Sequence, residues 1–152
     1  MTLSMSIDKS IRTTLLFQRL SEATSVRTFI REHRQYFVHK TLPDFLREQC
    51  ESKNLVRAQA IKGANVDRTY GHQIFNGWKN PSRDKLLQIA FGLHLTVGET
   101  QEALLLADKR QLHPKILRDD IILFCLQKRM SIQDADELLL SYSMQPLERN
   151  TP

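Results

Sequence analysis

The sequence predicts an all-α fold of about eight helices with essentially no sheet. Apolar residues recur at the 3.6-residue spacing of an amphipathic helix, and no stretch alternates with period two for long. Helix-start signals recur as well. At Thr96–Glu99, for example, a threonine and a glutamate three residues apart can satisfy each other's free backbone amides. Five glycines and five prolines in 152 residues separate the helical patterns.

Residues 1–40 are predicted to form an N-terminal helical arm of two helices. The first extends from about Ile7 to Leu20. The second follows Ser25 and places Phe29, Ile30 and Phe37 on its apolar side.

Residues 41–108 are predicted to form a five-helix domain. Its first helix starts at Thr41, which can cap free amides, and Pro43 and Asp44 suit the first turn. A tight turn is expected at residues 63–65, because glycine and asparagine accept left-handed backbone angles. The expected helices are about Thr41–Ser52, Val56–Lys62 and Asp67–Phe75, then one opening at Pro81–Ser82 and one at Thr96.

Residues 109–152 are predicted to form a C-terminal extension with a helical pair, about Lys115–Lys128 and a helix that starts at Ser131 with a second capping-box pattern to Asp134. This pair carries more large apolar residues than two helices can bury between themselves. The sequence therefore predicts a homodimer with the tail at or near its interface. The alternative is a monomer in which the N-terminal arm and the tail cover one another.

Several functional classes find no support in the sequence. The two cysteines, Cys50 and Cys125, are too few and too distant for a disulfide scaffold or a zinc module, and we expect both to be reduced and buried. The five histidines show no metal-binding spacing, and no catalytic constellation or phosphate-binding glycine loop is present. No apolar stretch is long enough for a bilayer, and residues 1–10 lack signal-peptide features. We therefore expect a cytoplasmic protein that is not an enzyme and that has no metal, no cofactor and no membrane partner.

Positive charge is concentrated in two segments, although the net charge is only +5. Residues 1–40 carry seven Lys or Arg against three Asp or Glu, and residues 55–85 carry six against two. An even spread would indicate only a solvated surface. The clustering is typical of a nucleic-acid-binding segment.

The helix predicted near residues 66–76 combines an apolar side with a polar side that has no carboxylate. At 100° per residue from Arg68, the side chains of Val66, Tyr70 and Ile74 cluster at about 160–240°. The polar side spans about 0–140° on the same scale. It consists of Arg68, Thr69, His72, Gln73 and Asn76. Arg can pair with guanine, Gln with adenine and Thr with thymine in the major groove of DNA.

The order of elements from Phe45 to Ala107 resembles the Cro/repressor-type helix-turn-helix family of bacterial transcriptional regulators, also called the xenobiotic-response-element type. About 60 of the 152 residues are covered. The resemblance implies a lambda-repressor-like five-helix core whose recognition helix, at about residues 67–76, enters the major groove. It also extends to a longer bacterial subset with an Arg-Asp pair in its tail. The matching segments are Asn54–Leu55, Gln73–Gly77, Lys79–Ser82, Leu86–Ala90, Phe91–Leu95, Thr96–Glu99 and Arg118–Asp119.

The resemblance implies sequence-specific binding of double-stranded DNA, with transcription regulation as the role. Base-reading residues would be Arg68, Thr69, Gln73 and, more weakly, His72. Phosphate contacts would come from Arg57, Lys79, Asn80 and Arg83.

Three features depart from the family pattern: Ala64 is small where an apolar residue lies inside the turn, Gly71 lies in the third helix, and Phe75 and Trp78 take positions that are usually polar. Gly71 stands where an apolar residue is usual, so Tyr70 or Phe75 is expected to fill that space. The aromatic residues Tyr70, Phe75 and Trp78 favour an alternative function, a protein-interaction adaptor or antitoxin-like module on the same scaffold that has lost DNA binding.

Overall fold

A computed structural model describes residues 11–37 and 40–149, and the regular structure within those ranges is entirely helical. The predicted all-α class is therefore confirmed, with nine α-helices in the described ranges where about eight were expected. The predicted helix start at Ile7 lies outside the described residues, and the first helix described begins at Thr13. The helices are α1 (Thr13–Glu22), α2 (Val26–His33), α3 (Leu42–Ser52), α4 (Arg57–Gly63), α5 (Arg68–Phe75), α6 (Arg83–Gly92), α7 (Val97–Leu106), α8 (Leu117–Gln127) and α9 (Ile132–Ser141).

Local side-chain caps start most of these helices. Thr41 accepts a hydrogen bond from the amide of Asp44 at the start of α3, and Asp67 accepts one from Tyr70 at the start of α5. At α7 both halves of the predicted capping box form between Thr96 and Glu99. Ser131 accepts only the amide of Asp134 at the start of α9, which is half of the box expected there. These caps satisfy amides that a helix cannot satisfy internally.

Left-handed residues end many of the helices. Asn54 and Asn65 take φ values of 59° and 60° after α3 and α4, and Gly77 takes 79° after α5. In the turn predicted at residues 63–65 it is therefore Asn65 that supplies the left-handed angle. Four more such residues follow later helices, namely His94, Asp108, Arg129 and Ser143.

The chain divides after residue 39 into two compact units. In the first unit α1 packs on α2, where Phe29 stacks on His33 with ring centroids 4.2 Å apart. Its described apolar side chains include several that are exposed, most of all Phe17 at 68% and Val26 at 66%.

The second unit holds helices α3 to α9 around one hydrophobic core. That core continues from Leu42 through the fully buried Leu87 and Leu104 to Ile122 and Leu147. The domain boundary predicted near residue 108 thus falls inside one compact unit. The reason is that α6 contacts α9 and α7 contacts α8, so that the tail packs on the helices before it.

The helices α4 and α6 approach closely at two glycines. A Cβ atom built on Gly92 would lie 2.2 Å from the carbonyl oxygen of Ala60, so only glycine fits there. Gly63 lies opposite, and a Cβ atom built on it would lie 3.6 Å from the Cα of Gly92. Next to this contact the buried Gln88 of α6 donates through Nε2 to the carbonyl of Ala64, at 3.1 Å. The turn between α4 and α5 is thereby held to α6.

Two Arg-Asp dipeptides, Arg83–Asp84 at the start of α6 and Arg118–Asp119 at the start of α8, form crossed ion pairs. Arg83 Nη2 lies 3.0 Å from Asp119 Oδ2, and Arg118 donates to both carboxylate oxygens of Asp84, at 3.0 and 3.1 Å. Asp84 also accepts from Arg149 at 3.1 Å. These pairs fasten the tail to the start of α6.

Both cysteines are free and buried, as expected. Burial raises the pKa of the Cys125 thiol to about 11, and the charges of Asp134 and Asp136 act in the same direction. Within the described ranges, no helix combines the length and the apolar character that crossing a bilayer would require.

The α7 capping box should make the stability of the second unit depend on pH. Burial alone would raise the pKa of Glu99, but the Thr96 amide and Lys53 Nζ, 3.0 Å away, outweigh it and lower that pKa below 4.5. A lowered folded-state pKa stabilises the fold above the unfolded value and loses this effect as pH falls through the folded value. Urea unfolding at pH 6 and at pH 3 measures this effect. Between the two pH values the free energy of unfolding should fall more for the native protein than for Glu99→Gln. The exposed Glu137→Gln serves as the matched control, and equal losses in the native protein and Glu99→Gln would contradict the prediction.

Candidate nucleic-acid interface

Helix α5 follows α4 after the short connection of residues 64–67 and packs against both α4 and α3. Ile74 and Val66 bury its apolar side, with exposed fractions of 1% and 7%. Gly71 is also buried, and the space beside it is filled by Ile61 of α4. A Cβ on Gly71 would lie 2.6 Å from Ile61 Cγ2. The expectation that Tyr70 or Phe75 fills this space was therefore wrong, because a side chain from the neighbouring helix enters it.

The remaining side of α5 reaches the surface. We call Arg68, Thr69, His72, Gln73 and Asn76 the polar face of α5. Arg68, Thr69 and Asn76 are exposed, whereas His72 and Gln73 are half-buried. This is the arc that the helical spacing leaves free once Val66, Tyr70, Gly71, Ile74 and Phe75 pack inward.

The start of α4 is tied to the end of α5 through Arg57. Its Nη1 donates to Asn76 Oδ1 at 2.8 Å, and the guanidinium carbon lies 5.2 Å from the centroid of the Phe75 ring. Arg57 remains half-exposed, and a guanidinium has five N–H donors. Sequence reasoning placed Asn76 on the polar side but assigned it no role. No local pattern marks its contact with Arg57, 19 residues earlier.

The segment after α5 folds back on the helix end. The carbonyl oxygen of Gln73 accepts the amides of Trp78 at 2.9 Å and Lys79 at 3.3 Å. The side chains of Trp78, Lys79 and Asn80 then project into solvent, and Trp78 is 75% exposed. Lys79 and Asn80 thus follow directly after the polar face of α5.

Three carboxylates near this surface are engaged by internal partners, whereas the exposed Glu51 lines one pocket together with Arg57 and Phe75. Residues 68–82 contain no Asp or Glu. Asp67 caps α5 through the Tyr70 amide, and Asp84 binds two arginines. Glu148 of the tail accepts from Asn65 Nδ2 at 2.8 Å in the turn before α5. The surface between Asp67 and Asp84 is therefore cationic and polar.

Arg83, which was predicted to contact phosphate, is bound by internal partners. Its guanidinium donates to the carbonyls of Arg110 and Gln111, at 2.8 and 3.2 Å, and to the buried carboxylate of Asp119. With only 16% of its side chain exposed, its charge is neutralised inside the fold. Arg83 therefore links the start of α6 to the tail.

The three aromatic residues considered for a protein interface do not form one surface. Phe75 is 3% exposed and belongs to the hydrophobic core, while Tyr70 is half-buried. Trp78 is the member of this trio whose ring is largely in solvent. A patch made by all three is excluded because α5 turns Phe75 inward.

Among the described residues, no group of three or more His, Cys, Asp or Glu side chains is placed to hold a metal ion. Comparison of the chain with protein-family models, with curated proteins and with solved structures gives no significant match.

Proposed function

We propose that this protein binds double-stranded DNA in a sequence-specific manner and acts as a transcriptional regulator, with α4 and α5 as a helix-turn-helix. The observation that carries the proposal is the exposed, carboxylate-free polar face of α5, followed directly by Lys79 and Asn80. An α-helix fits the major groove, where Arg and Gln can each make paired hydrogen bonds to a base edge. The order of elements from Phe45 to Ala107 supports the same function through its resemblance to Cro/repressor-type regulators.

Within this proposal the residues divide into two roles. Arg68, Thr69 and Gln73, with His72 beside them, contact base edges. Arg57, Lys79 and Asn80 contact phosphates near the C-terminal end of the recognition helix. The Arg57–Asn76 hydrogen bond positions the guanidinium before DNA arrives, which reduces the entropy lost on binding.

The proposal is tested by selecting bound sites from a random duplex library and measuring affinity as a function of salt. We expect a preferred site and a steep salt dependence, with a log–log slope of about −0.9 for each phosphate neutralised. Absence of duplex binding at low salt would refute it.

Single substitutions should separate base contacts from phosphate contacts. On the preferred site, Gln73→Ala should cost about 1–3 kcal/mol and relax the preference at one base pair. Lys79→Ala should weaken binding to all sequences alike and reduce the salt slope by about 1. The charge-matched control is Lys115→Ala, an exposed lysine outside this surface. If Gln73→Ala and Arg68→Ala bind the selected site as tightly as the parent, the recognition face is misassigned.

Trp78 favours a second candidate function, a protein-interaction adaptor on the same scaffold. A ring that is 75% exposed is the kind of side chain that anchors protein interfaces. An adaptor that had lost DNA binding would show no salt-dependent affinity for duplex. The salt experiment therefore distinguishes the two functions.

We further propose that the DNA-binding form is a homodimer that uses the outer side of the tail. A single recognition helix grips about one half-site, and a two-fold axis would hold two such helices about 34 Å apart. Leu117 and Phe124 lie seven residues apart, on the same side of α8, with 54% and 47% of their areas exposed. Leu140 and Tyr142, at the end of α9, are each 58% exposed.

Sedimentation of the full chain tests this arrangement. The double substitution of Leu117 and Phe124 by serine should raise the dimer dissociation constant at least about ten-fold, since buried apolar anchors at an interface contribute above ~1 kcal/mol each. Val56→Ser removes an equally exposed apolar side chain outside the tail and should leave the dimer intact. A native chain that stays monomeric at tens of micromolar and still binds a single half-site would refute the dimer.

A further inference from the structure

A pocket of about 360 Å³ lies where the α6–α7 connection meets the α8–α9 connection. Phe91, Leu95 and Leu126 line it with apolar surface and are almost fully buried. Val97 and Met130 continue this apolar wall. A volume above ~300 Å³ is in the range of small-molecule sites in proteins.

Two basic residues stand at this pocket, His94 from one connection and Arg129 from the other. Neither side chain makes a hydrogen bond or an ion pair with another described residue. The lining residues include no carboxylate. Glu99, one residue beyond the lining, already binds Lys53 Nζ and the Thr96 amide. The pocket therefore combines an apolar wall with two exposed basic side chains that have no polar partner among the described residues.

Arg129 occupies a backbone conformation that is unusual for its residue type. Its φ is 55°, in the left-handed region where glycine and asparagine are the common residues at helix ends. Asparagine fills the equivalent place after α3 and after α4, at Asn54 and Asn65. A long cationic side chain at this place costs backbone strain, and no hydrogen bond or ion pair between the guanidinium and another described residue offsets it.

We propose that this pocket binds a small aromatic anion, with a ring system in the apolar interior and one carboxylate or sulfonate group at Arg129 and His94. Charge complementarity favours the anion, because the guanidinium of Arg129 stands at the pocket and no carboxylate lines it. A guanidinium is suited to such a group because it can donate two parallel hydrogen bonds. The volume equals that of about twelve water molecules, which allows a two- or three-ring compound.

Fluorescence titration with 1-anilinonaphthalene-8-sulfonate tests the proposal, with N-phenyl-1-naphthylamine as its uncharged analogue. We expect saturable binding of one sulfonate probe per chain, tighter than that of the neutral probe. Arg129→Gly should weaken sulfonate binding about ten-fold and leave the neutral probe unaffected, because a hydrogen bond to a charged group is lost. The control Ser143→Gly makes the same change at a left-handed residue, φ 57°, that does not line the pocket, and it should alter neither titration.

A second variant fills the pocket without touching the charges. Gly98 lines the pocket, and a Cβ built on it meets only Thr96 Oγ1, at 4.0 Å. Gly98→Met should therefore fold normally and abolish the saturable binding of both probes. The proposal is overturned if both probes bind equally well to the native chain, or if Arg129→Gly and Gly98→Met leave sulfonate binding unchanged. Either result would place the probe on other exposed apolar surface.

Discussion

Gly92→Ala is expected to destabilise the second unit by about 3 kcal/mol or more, which should lower its unfolding temperature by about 10 °C. The added methyl group would lie 2.2 Å from the Ala60 carbonyl oxygen and 2.7 Å from the Ala64 amide nitrogen. Both contacts are with backbone, so no side-chain rotation can relieve them. The helices α4 and α6 would have to separate, and the turn that leads into α5 would move with them. Thermal unfolding followed by circular dichroism measures the effect.

Two other glycines provide matched controls for this substitution. A Cβ on Gly63, on the opposite side of the same helix contact, would meet Gly92 at the ordinary distance of 3.6 Å. A Cβ on Gly98 would meet only Thr96 Oγ1, at 4.0 Å. Alanine at either position should be neutral or stabilising by up to about 1 kcal/mol, because alanine favours the helical backbone. If Gly92→Ala were as stable as Gly63→Ala, the close packing of α4 on α6 would be disproved.

Arg83→Ala should cost about 3–5 kcal/mol, the range for removing one partner of a buried ion pair. The Asp119 side chain is 1% exposed, and its Oδ1 has no hydrogen-bond partner. Its Oδ2 accepts from Arg83 and from the His113 amide, at 3.0 and 2.9 Å. Without Arg83 the carboxylate would stay buried with a single amide donor. Urea unfolding of the full chain measures the loss.

The second Arg-Asp pair provides the comparison. Arg118→Ala should cost about half as much, because Asp84 keeps Arg149 as a partner and is 18% exposed. Replacing Arg83 by methionine together with Asp119 by leucine should recover at least half of the Arg83→Ala loss, since an apolar pair leaves no charge to solvate. If Arg83→Ala and Arg118→Ala lost the same free energy of unfolding, the burial of the carboxylate would not determine how much each ion pair contributes.

Short-range features of the fold could be predicted from sequence because their partners are near in the chain. Thr41, Thr96 and Ser131 cap amides three residues ahead, and the left-handed asparagine at residue 65 serves its own turn. The polar face of α5 could be predicted from helical spacing alone. The burial of its residues confirms which side of that helix faces the core.

Long-range contacts account for what sequence reasoning missed. The resemblance implied a phosphate contact for Arg83. Its ion pair with Asp119 could not be predicted, because Asp119 lies 36 residues later. The division near residue 108 was expected because the tail has its own helical pattern, yet its buried Ile122 and Leu139 belong to the same core as Leu42. The filling of the space at Gly71 by Ile61 depends on how α4 and α5 cross, which no residue pattern specifies.

The exposure of Trp78 determines what intrinsic fluorescence can report. It is the chain's one tryptophan, and its indole is three-quarters in water in the native state. The emission maximum of the native protein should therefore lie near that of indole in water and change little when the protein unfolds. A denaturation curve followed by tryptophan emission would miss the transition. A partner that covers residues 76–80 would remove water from the same ring. The molecule thus carries an optical reporter that is insensitive to folding and sensitive to occupancy of one surface.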